Sequence, residues 1–344
     1  MSGIRGLATG VGSLPHLDAD KALDLIFKFV PNIPFWPQFP KRDFREGMLA
    51  QFSENIPCLE IKGNGLVFNP ENKEKKLEVF YEKIINDDLD YFKLSASFAL
   101  GLHKFYERLS NVDLGRIDFI KIQVTGPFTF LAGINDEKGV MLLHDPVFKQ
   151  AIFKALSMKL RWQIDLFKKF ARPIIAFIDE PYLGTFGSAY TSLNREDVVQ
   201  GLAEFSESVK SKDLFLGLHC CGNTDWSLFT DIPAIDIINF DAYNFQERFV
   251  LYAQNLKGFL KRGGIICWGI VPTQSGRIED SPVSLVNKIK SCIEALVNKG
   301  LEGSLLRSQM FISPSCGLGT LKISESEEIY HLLRATSLYI KDNF

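Results

Sequence analysis

Short apolar, β-branched runs alternate along this chain with longer stretches of helical period. Strands that follow one another through helices lie parallel in one sheet, so this pattern constrains the fold more than any other feature. Eight runs can be read: Leu7 to Pro15, a weaker one from Ile33 to Phe39, Asp118 to Val124, Pro173 to Asp179, Leu214 to His219, Ile235 to Phe240, Gly264 to Ile270 and Met310 to Pro314. Helical sequence fills the spans Asp18 to Val30, Asp145 to Phe170, Ser281 to Lys299 and Ser324 to Ile340. Eight strand-helix units favour an α/β fold that is a single (β/α)8 TIM barrel, rather than a doubly wound sheet. Residues 1–344 are expected to form one domain, with no repeat or linker dividing it. Residues 41–100 fit no unit and are too long for one loop. They are expected as an irregular inserted region after the second strand, made of helices or a hairpin and covering part of the barrel mouth.

In such a barrel the chemistry belongs at the C-terminal ends of the strands. Ser13, Thr125, Asp179 with Glu180, His219 with Cys221, Asp241, Thr273 and Cys316 all fall there. The sharpest group is His219-Cys220-Cys221-Gly222-Asn223, read together with Cys316. Residues two apart on an extended chain share a face, so His219 and Cys221 point one way and Cys220 the other. Cys221 is therefore expected as a ligand and Cys220 as packing, the ordinary fate of a buried free cysteine. One imidazole and two thiolates suit Zn²⁺, and three protein ligands leave a tetrahedral site one position for water or substrate.

Composition narrows the function classes. With 344 residues, 46% of them hydrophobic, the chain can bury a large core. Its 39 Lys and Arg and 41 Asp and Glu are interspersed, which gives no basic face for nucleic acid. The alternating charges from Glu71 to Glu78 read as a solvated helix start. A chain of this size needs no disulfide staples, so its six cysteines fit a reducing cytoplasm. The N-terminus lacks a signal-peptide pattern, and no apolar run nears the roughly 18 to 20 residues of a membrane span.

Five segments carry a family resemblance: Gly12-Ser13-Leu14-Pro15, Thr125-Gly126-Pro127, Ile178-Asp179-Glu180-Pro181, His219-x-Cys221 and Pro314-Ser315-Cys316-Gly317. In this order and strand placement they resemble the catalytic half of cobalamin-independent methionine synthase. The stretch His219 to Thr224 also resembles the zinc methyltransferases that move methyl groups between corrinoids and thiols, relatives of uroporphyrinogen decarboxylase in the same barrel superfamily. The resemblance implies zinc bound by His219, Cys221 and Cys316, with Asp241 standing where the methionine synthases have a glutamate ligand. It also implies an amino-acid acceptor held near Thr125 by Asp179 and the Ser13 turn. Plainer readings stand beside these: Asp241 as a helix cap, Asp179 as a paired barrel-end carboxylate and Ser13 as a turn residue.

Three departures shape the expected function. The chain opens directly on the catalytic half. Trp268 to Thr273 stands where the folate-using enzymes have Asp-Ile-His, and Phe39-Pro40-Lys41-Arg42 replaces their Glu-Pro-Glu-Arg, leaving Glu46 or Glu60 as substitutes. The implied activity is methyl transfer to a small thiol, homocysteine favoured, giving methionine. The donor is a methylcobamide rather than folate, either free or on a corrinoid protein docking over the mouth. Trp36, Trp226 and Phe245 would serve such docking if they are not core. Rival readings are a methylcobamide:coenzyme M or other small-thiol methyltransferase, a decarboxylase of the uroporphyrinogen type, and a non-enzymatic corrinoid- or metal-binding accessory protein.

Overall fold

Runs rich in β-branched and aromatic residues become strands where helices return the chain between them. The computed structural model describes residues 3–189, 191, 193–276 and 279–344. Its strands are β1 (Leu7–Ala8), β2 (Leu59–Lys62), β3 (Gly65–Phe68), β4 (Ile120–Thr125), β5 (Ile174–Asp179), β6 (Leu214–Cys220), β7 (Ile237–Phe240), β8 (Ile265–Val271) and β9 (Met310–Pro314). Seven form one curled parallel sheet in the order β1-β9-β8-β7-β6-β5-β4, and β2 pairs with β3 as a separate antiparallel hairpin. Among the described residues no helix is long and apolar enough to cross a membrane.

The expected second strand does not form a ladder. Pro34 and Pro37 interrupt the run and Pro40 follows it, and proline has no N–H to give. Residues 33–38 instead touch both edges of the sheet through single parallel bridges, Ser13 with Gln38 and Phe35 with Lys121. Side chains supply part of what the prolines withhold. Trp36 Nε1 donates to Gln163 Oε1 at 3.0 Å, Gln163 Nε2 to the Gln123 carbonyl at 3.1 Å, and Gln123 Nε2 to the Trp36 carbonyl at 2.9 Å. Each such bond contributes about 1 kcal/mol net, and each would cost more if a buried partner were left alone.

Alternation along the strands sorts the interior into two clusters. Ile175, Phe177, Ile237, Ile265, Cys267 and Phe311 fill the concave side with Leu7 and Ile33. Ile174, Ala176, Ile178, Leu216, Leu218 and Cys220 face outward into the larger core shared with the helices. Polar residues continue the concave face upward: Lys121, Gln123 and Thr125 on β4, Asp179 on β5, His219 on β6 and Asn239 on β7 are all buried. Helix starts follow expectation. Asp18 caps Ala19–Phe29, and Asp145 caps Pro146–Phe167 with a proline in its first turn.

Residues 41–100 hold two short 3₁₀ turns, the β2-β3 hairpin, the helix Lys73–Ile85 and a further turn. The hairpin and helix lie along Pro146–Phe167: Phe68 packs edge-on against Phe148 at 4.7 Å, and Tyr81 Oη donates to Gln150 at 3.2 Å. Only the start of this region, through Glu46 and Met48, reaches the cavity described below.

Candidate metal centre

The ligating atoms of His219, Cys221 and Cys316 all lie within 4.8 Å of one another, at the C-terminal end of the sheet. The strand reading accounts for this. His219 faces the concave side of β6 and Cys221 follows two residues on, while Cys220 is fully buried in the outer core. Cys316 arrives from the loop after β9, which is pinned on both sides. Ser315 N donates to the Val271 carbonyl at 2.8 Å, and Leu318 N and Gly319 N donate to the carbonyl and hydroxyl of Ser13 at 2.9 and 3.2 Å. A side chain at Gly317 would meet the Ser13 hydroxyl at 2.3 Å, so glycine lets the two turns close on each other.

The donor set fits a borderline-soft divalent ion: one imidazole and two sulfurs, with room for a fourth group. Hydrogen bonds from Cys221 and His219 bring the Cys316 thiol down to about 4 against the opposing effect of burial. Cys221 beside it is pushed up, chiefly by its hydrogen bond to Cys316 and by desolvation. Burial alone would lower the His219 pKa, but Cys316, Asp179 and Asn239 outweigh it and hold it above its ordinary value. The lowered Cys316 thiol favours a thiolate here, which a cation would neutralise.

These residues open on a cavity of about 330 Å³, also lined by Ser13, Gln38, Glu46, Met48 and Asp179. Asp179 and Glu46 are 7% and 1% exposed, and each keeps one oxygen without a hydrogen-bond partner. Burial raises Asp179 to about 6, with His219 and Lys121 opposing, and raises Glu46 to about 7, with Arg42 opposing. Lys121 is wholly buried, donates to the Val11 carbonyl at 2.7 Å, and is itself lowered to about 8 by burial. Larger clefts occur elsewhere; one of about 900 Å³ lies by Pro173, Ile174 and Leu214 at the opposite end of the strands.

Other candidate residues take different places. Asp241 stands outside the three-ligand group: both of its oxygens accept from Asn244, the backbone N–H at 2.9 Å and Nδ2 at 2.7 Å. Thr125 is the register partner of Asp179, yet its hydroxyl donates to the Met48 carbonyl at 2.7 Å and does not line the cavity. Glu180 turns away to the short helix Pro127–Ala132, accepting from Phe128 N, Thr129 N and the Thr129 hydroxyl. Glu60 sits on the hairpin with Asn69 and Lys76, so of the two suggested substitutes only Glu46 reaches the cavity. Trp36 and Trp226 are wholly buried, which removes them as docking contacts, and Phe245 is partly exposed.

The sequence reading missed Asn239. Its Oδ1 lies 2.7 Å from His219 Nδ1, and its Nδ2 donates to the Cys267 carbonyl and Ser313 Oγ, both at 2.9 Å. A signal existed: a lone polar residue in the Ile-Ile-Asn-Phe run, in phase with Asp241 two positions on.

No family model matches the sequence, and no curated protein matches it either. Among solved structures, a B12-independent methionine synthase from a Shewanella strain, in complex with selenomethionine, aligns at 15% identity and a TM-score of 0.47. That alignment covers 65% of this chain and 62% of the synthase, so the chain spans less than two thirds of its neighbour's length. A GH138 enzyme targeting pectin rhamnogalacturonan II aligns at 12% identity and a TM-score of 0.28, over 80% of this chain and 36% of that one. The function is therefore argued from the residues of the site.

Proposed function

We propose that this chain is a zinc-dependent methyltransferase that passes a methyl group from a methyl-corrinoid to the thiol of homocysteine, giving methionine. The observation that carries the reading is the convergence of His219, Cys221 and Cys316 on a cavity that Asp179, beside His219 on the next strand, and Glu46 also line. Zn²⁺ held by the three side chains would supply the Lewis acidity that keeps an incoming thiol deprotonated at neutral pH. The remaining work falls to the chain. Two buried carboxylates with unpartnered oxygens suit an ammonium group, which would satisfy both and keep them ionised. An aminothiol spanning the cavity would have its sulfur at the cysteines and its amine at Asp179 and Glu46, aligned for attack.

A cavity of about 330 Å³ is at the small end for ligand sites and suits an amino acid, not a corrin ring. The donor is therefore read as approaching from outside, free or on a separate corrinoid protein. We read residues 33–38 as the eighth stave of a closed (β/α)8 barrel, and the start of the 41–100 insertion as a cover over its mouth. We keep Asp241 as a group beside the metal rather than a fourth ligand.

The rivals fare less well against the same lining. Coenzyme M carries a sulfonate and no amine, which two carboxylates disfavour. A uroporphyrinogen-type decarboxylase needs a basic cradle, and among the described residues no Lys or Arg lines this cavity. An accessory protein would bind without turnover. The deciding experiment measures zinc per chain and methionine formed from homocysteine and methylcobalamin. One zinc with turnover upholds the reading, zinc without turnover removes this acceptor and donor pair, and no zinc overturns the ligand set.

A further inference from the structure

Asn239 spans three strands with one side chain, and each of its polar atoms has a defined partner. It sits on β7 as the register partner of His219 on β6 and of Cys267 on β8, and its amide also reaches Ser313 on β9. It is 3% exposed, so water does not complete its bonding. An amide can normally be turned end for end with little change in shape, but here the surroundings decide. The Cys267 carbonyl can only accept. Ser313 Oγ spends its one proton on the Pro314 carbonyl at 2.9 Å, so toward Asn239 it too can only accept. Both acceptors require the NH₂ end, which leaves Oδ1 facing His219 Nδ1 at 2.7 Å. An oxygen at that distance demands a proton on Nδ1. The other ring nitrogen, Nε2, is then the one that turns to Cys316 and, in the neutral ring, presents a lone pair.

We infer that the Asn239–Ser313 pair is a positioning device that fixes the proton of His219 on Nδ1 and so presents Nε2 as the metal-binding atom. The inference rests on the metal reading above, but its first consequence concerns the protein without metal. A neutral imidazole in water exchanges between two tautomers and rotates freely. In this protein both freedoms are removed before any ion arrives, so less of the binding energy goes into ordering the ligand. Outer partners of this kind typically account for about 10- to 100-fold in metal affinity. Asn239 does not touch substrate or the reacting atoms; it acts through His219.

The test uses the full-length chain and two readouts. ¹⁵N NMR of metal-free protein, at a pH where the His219 ring is neutral, reports which ring nitrogen carries the proton. Competition with a chromophoric chelator reports Co²⁺ affinity, with the Co²⁺ ligand-field spectrum as a check on geometry. Wild type is expected to show a proton on Nδ1. Asn239→Leu is expected to show a tautomer mixture and to bind Co²⁺ about 10- to 100-fold more weakly. If Asn239→Leu does not fold, Ser313→Ala leaves the amide held by Cys267 alone and should give a smaller shift in the same direction. Asn239→Asp keeps an acceptor toward Nδ1 and should show the Nδ1 proton, at a cost in stability because it offers the Cys267 carbonyl no donor. A wild-type ring protonated on Nε2, or a tautomer unchanged in both Asn239→Leu and Ser313→Ala, would overturn the inference. A locked Nδ1–H in a protein that takes up no Co²⁺ would uphold the inference about the ring and overturn the metal reading.

Discussion

Glu46 and Asp179 line one cavity from different parts of the fold, and each holds a buried carboxylate oxygen that no hydrogen bond satisfies. Glu46 comes from a 3₁₀ turn in the inserted region, Asp179 from the end of β5. Burying these groups costs stability; Arg42 offsets part of that cost at the other oxygen of Glu46, and an entering cation would recover more. The pair therefore reads as a binding feature rather than a structural one.

Neutral isosteres test this directly. Asp179→Asn and Glu46→Gln should each lower kcat/KM for homocysteine by roughly 10- to 150-fold, the equivalent of about 1.5–3 kcal/mol for a hydrogen bond to a charged group. A thiol of the same length without the amine should be affected less than about threefold, since its sulfur end is untouched. Steady-state kinetics on both substrates check the split. Equal losses on the two would show that the carboxylates do not read the amine.

The three ligands should behave differently from their neighbour Cys220. Cys221→Ser and Cys316→Ser should each weaken zinc binding by more than about 100-fold, beyond the range expected for loss of an outer partner. Cys220→Ala should keep one zinc per chain, because its sulfur lies in the outer core and donates only weakly to the Gly222 carbonyl at 3.7 Å. Elemental analysis after dialysis against a chelator distinguishes them. Zinc retained in both serine variants would dismiss the ligand set.

Much of this arrangement was legible in the chain because strand periodicity is local. The phase of β6 alone separated Cys221 from Cys220, and the apolar runs located β4 to β9 within a few residues. What could not be read depends on contacts between distant segments. Proline removed the ladder from residues 33–38, and the glutamine bonds that hold that segment come from positions such as Gln163, far away in sequence. Thr125 fell at a strand end as expected, but its hydroxyl is taken by Met48, and nothing in either neighbourhood announces that pairing. Asp241 was read with two alternatives open, and Asn244, three residues on, occupies both its oxygens.

Lys159 gives a prediction about pH that is independent of the metal. It lies wholly buried in the helix Pro146–Phe167, donates to the Glu54 carbonyl at 2.6 Å, and burial lowers its pKa to about 7. The unfolded chain holds that proton up to about pH 10, so between roughly pH 7 and 10 unfolding takes up a proton. The stability this group contributes is fully present above its unfolded pKa and is lost as pH falls through about 7. Urea unfolding of wild type should therefore show stability falling from pH 9.5 to 7.5 by on the order of 1 kcal/mol per unit more than in Lys159→Met. Parallel profiles for the two proteins would mean that Lys159 keeps its charge when buried.

Gly222 and Gly184 carry the last prediction, because they set the spacing between the loop that bears Cys221 and the loop that follows β5 and Asp179. The glycines pack backbone to backbone: a Cβ on Gly222 would sit 2.9 Å from the Gly184 Cα, and one on Gly184 would sit 3.0 Å from the Gly222 Cα. Neither φ is positive, so alanine suits the local conformation and only the neighbouring chain is in the way. No flexible side chain can yield there; the loops themselves must part. Gly222→Ala should cost about 1–3 kcal/mol, as overpacking does. It should also weaken zinc binding, since Cys221 is the adjacent residue. Gly258→Ala is the contrast. That glycine lies inside the helix Ala253–Lys261 with nothing within 4 Å of a new Cβ, so alanine should add about 0.5–1 kcal/mol and leave zinc binding unchanged. Thermal melts with zinc analysis of both variants separate a loss of stability from a loss of spacing. If Gly222→Ala lost stability but held zinc as wild type does, the close approach of the loops would be a packing feature with no bearing on the metal centre.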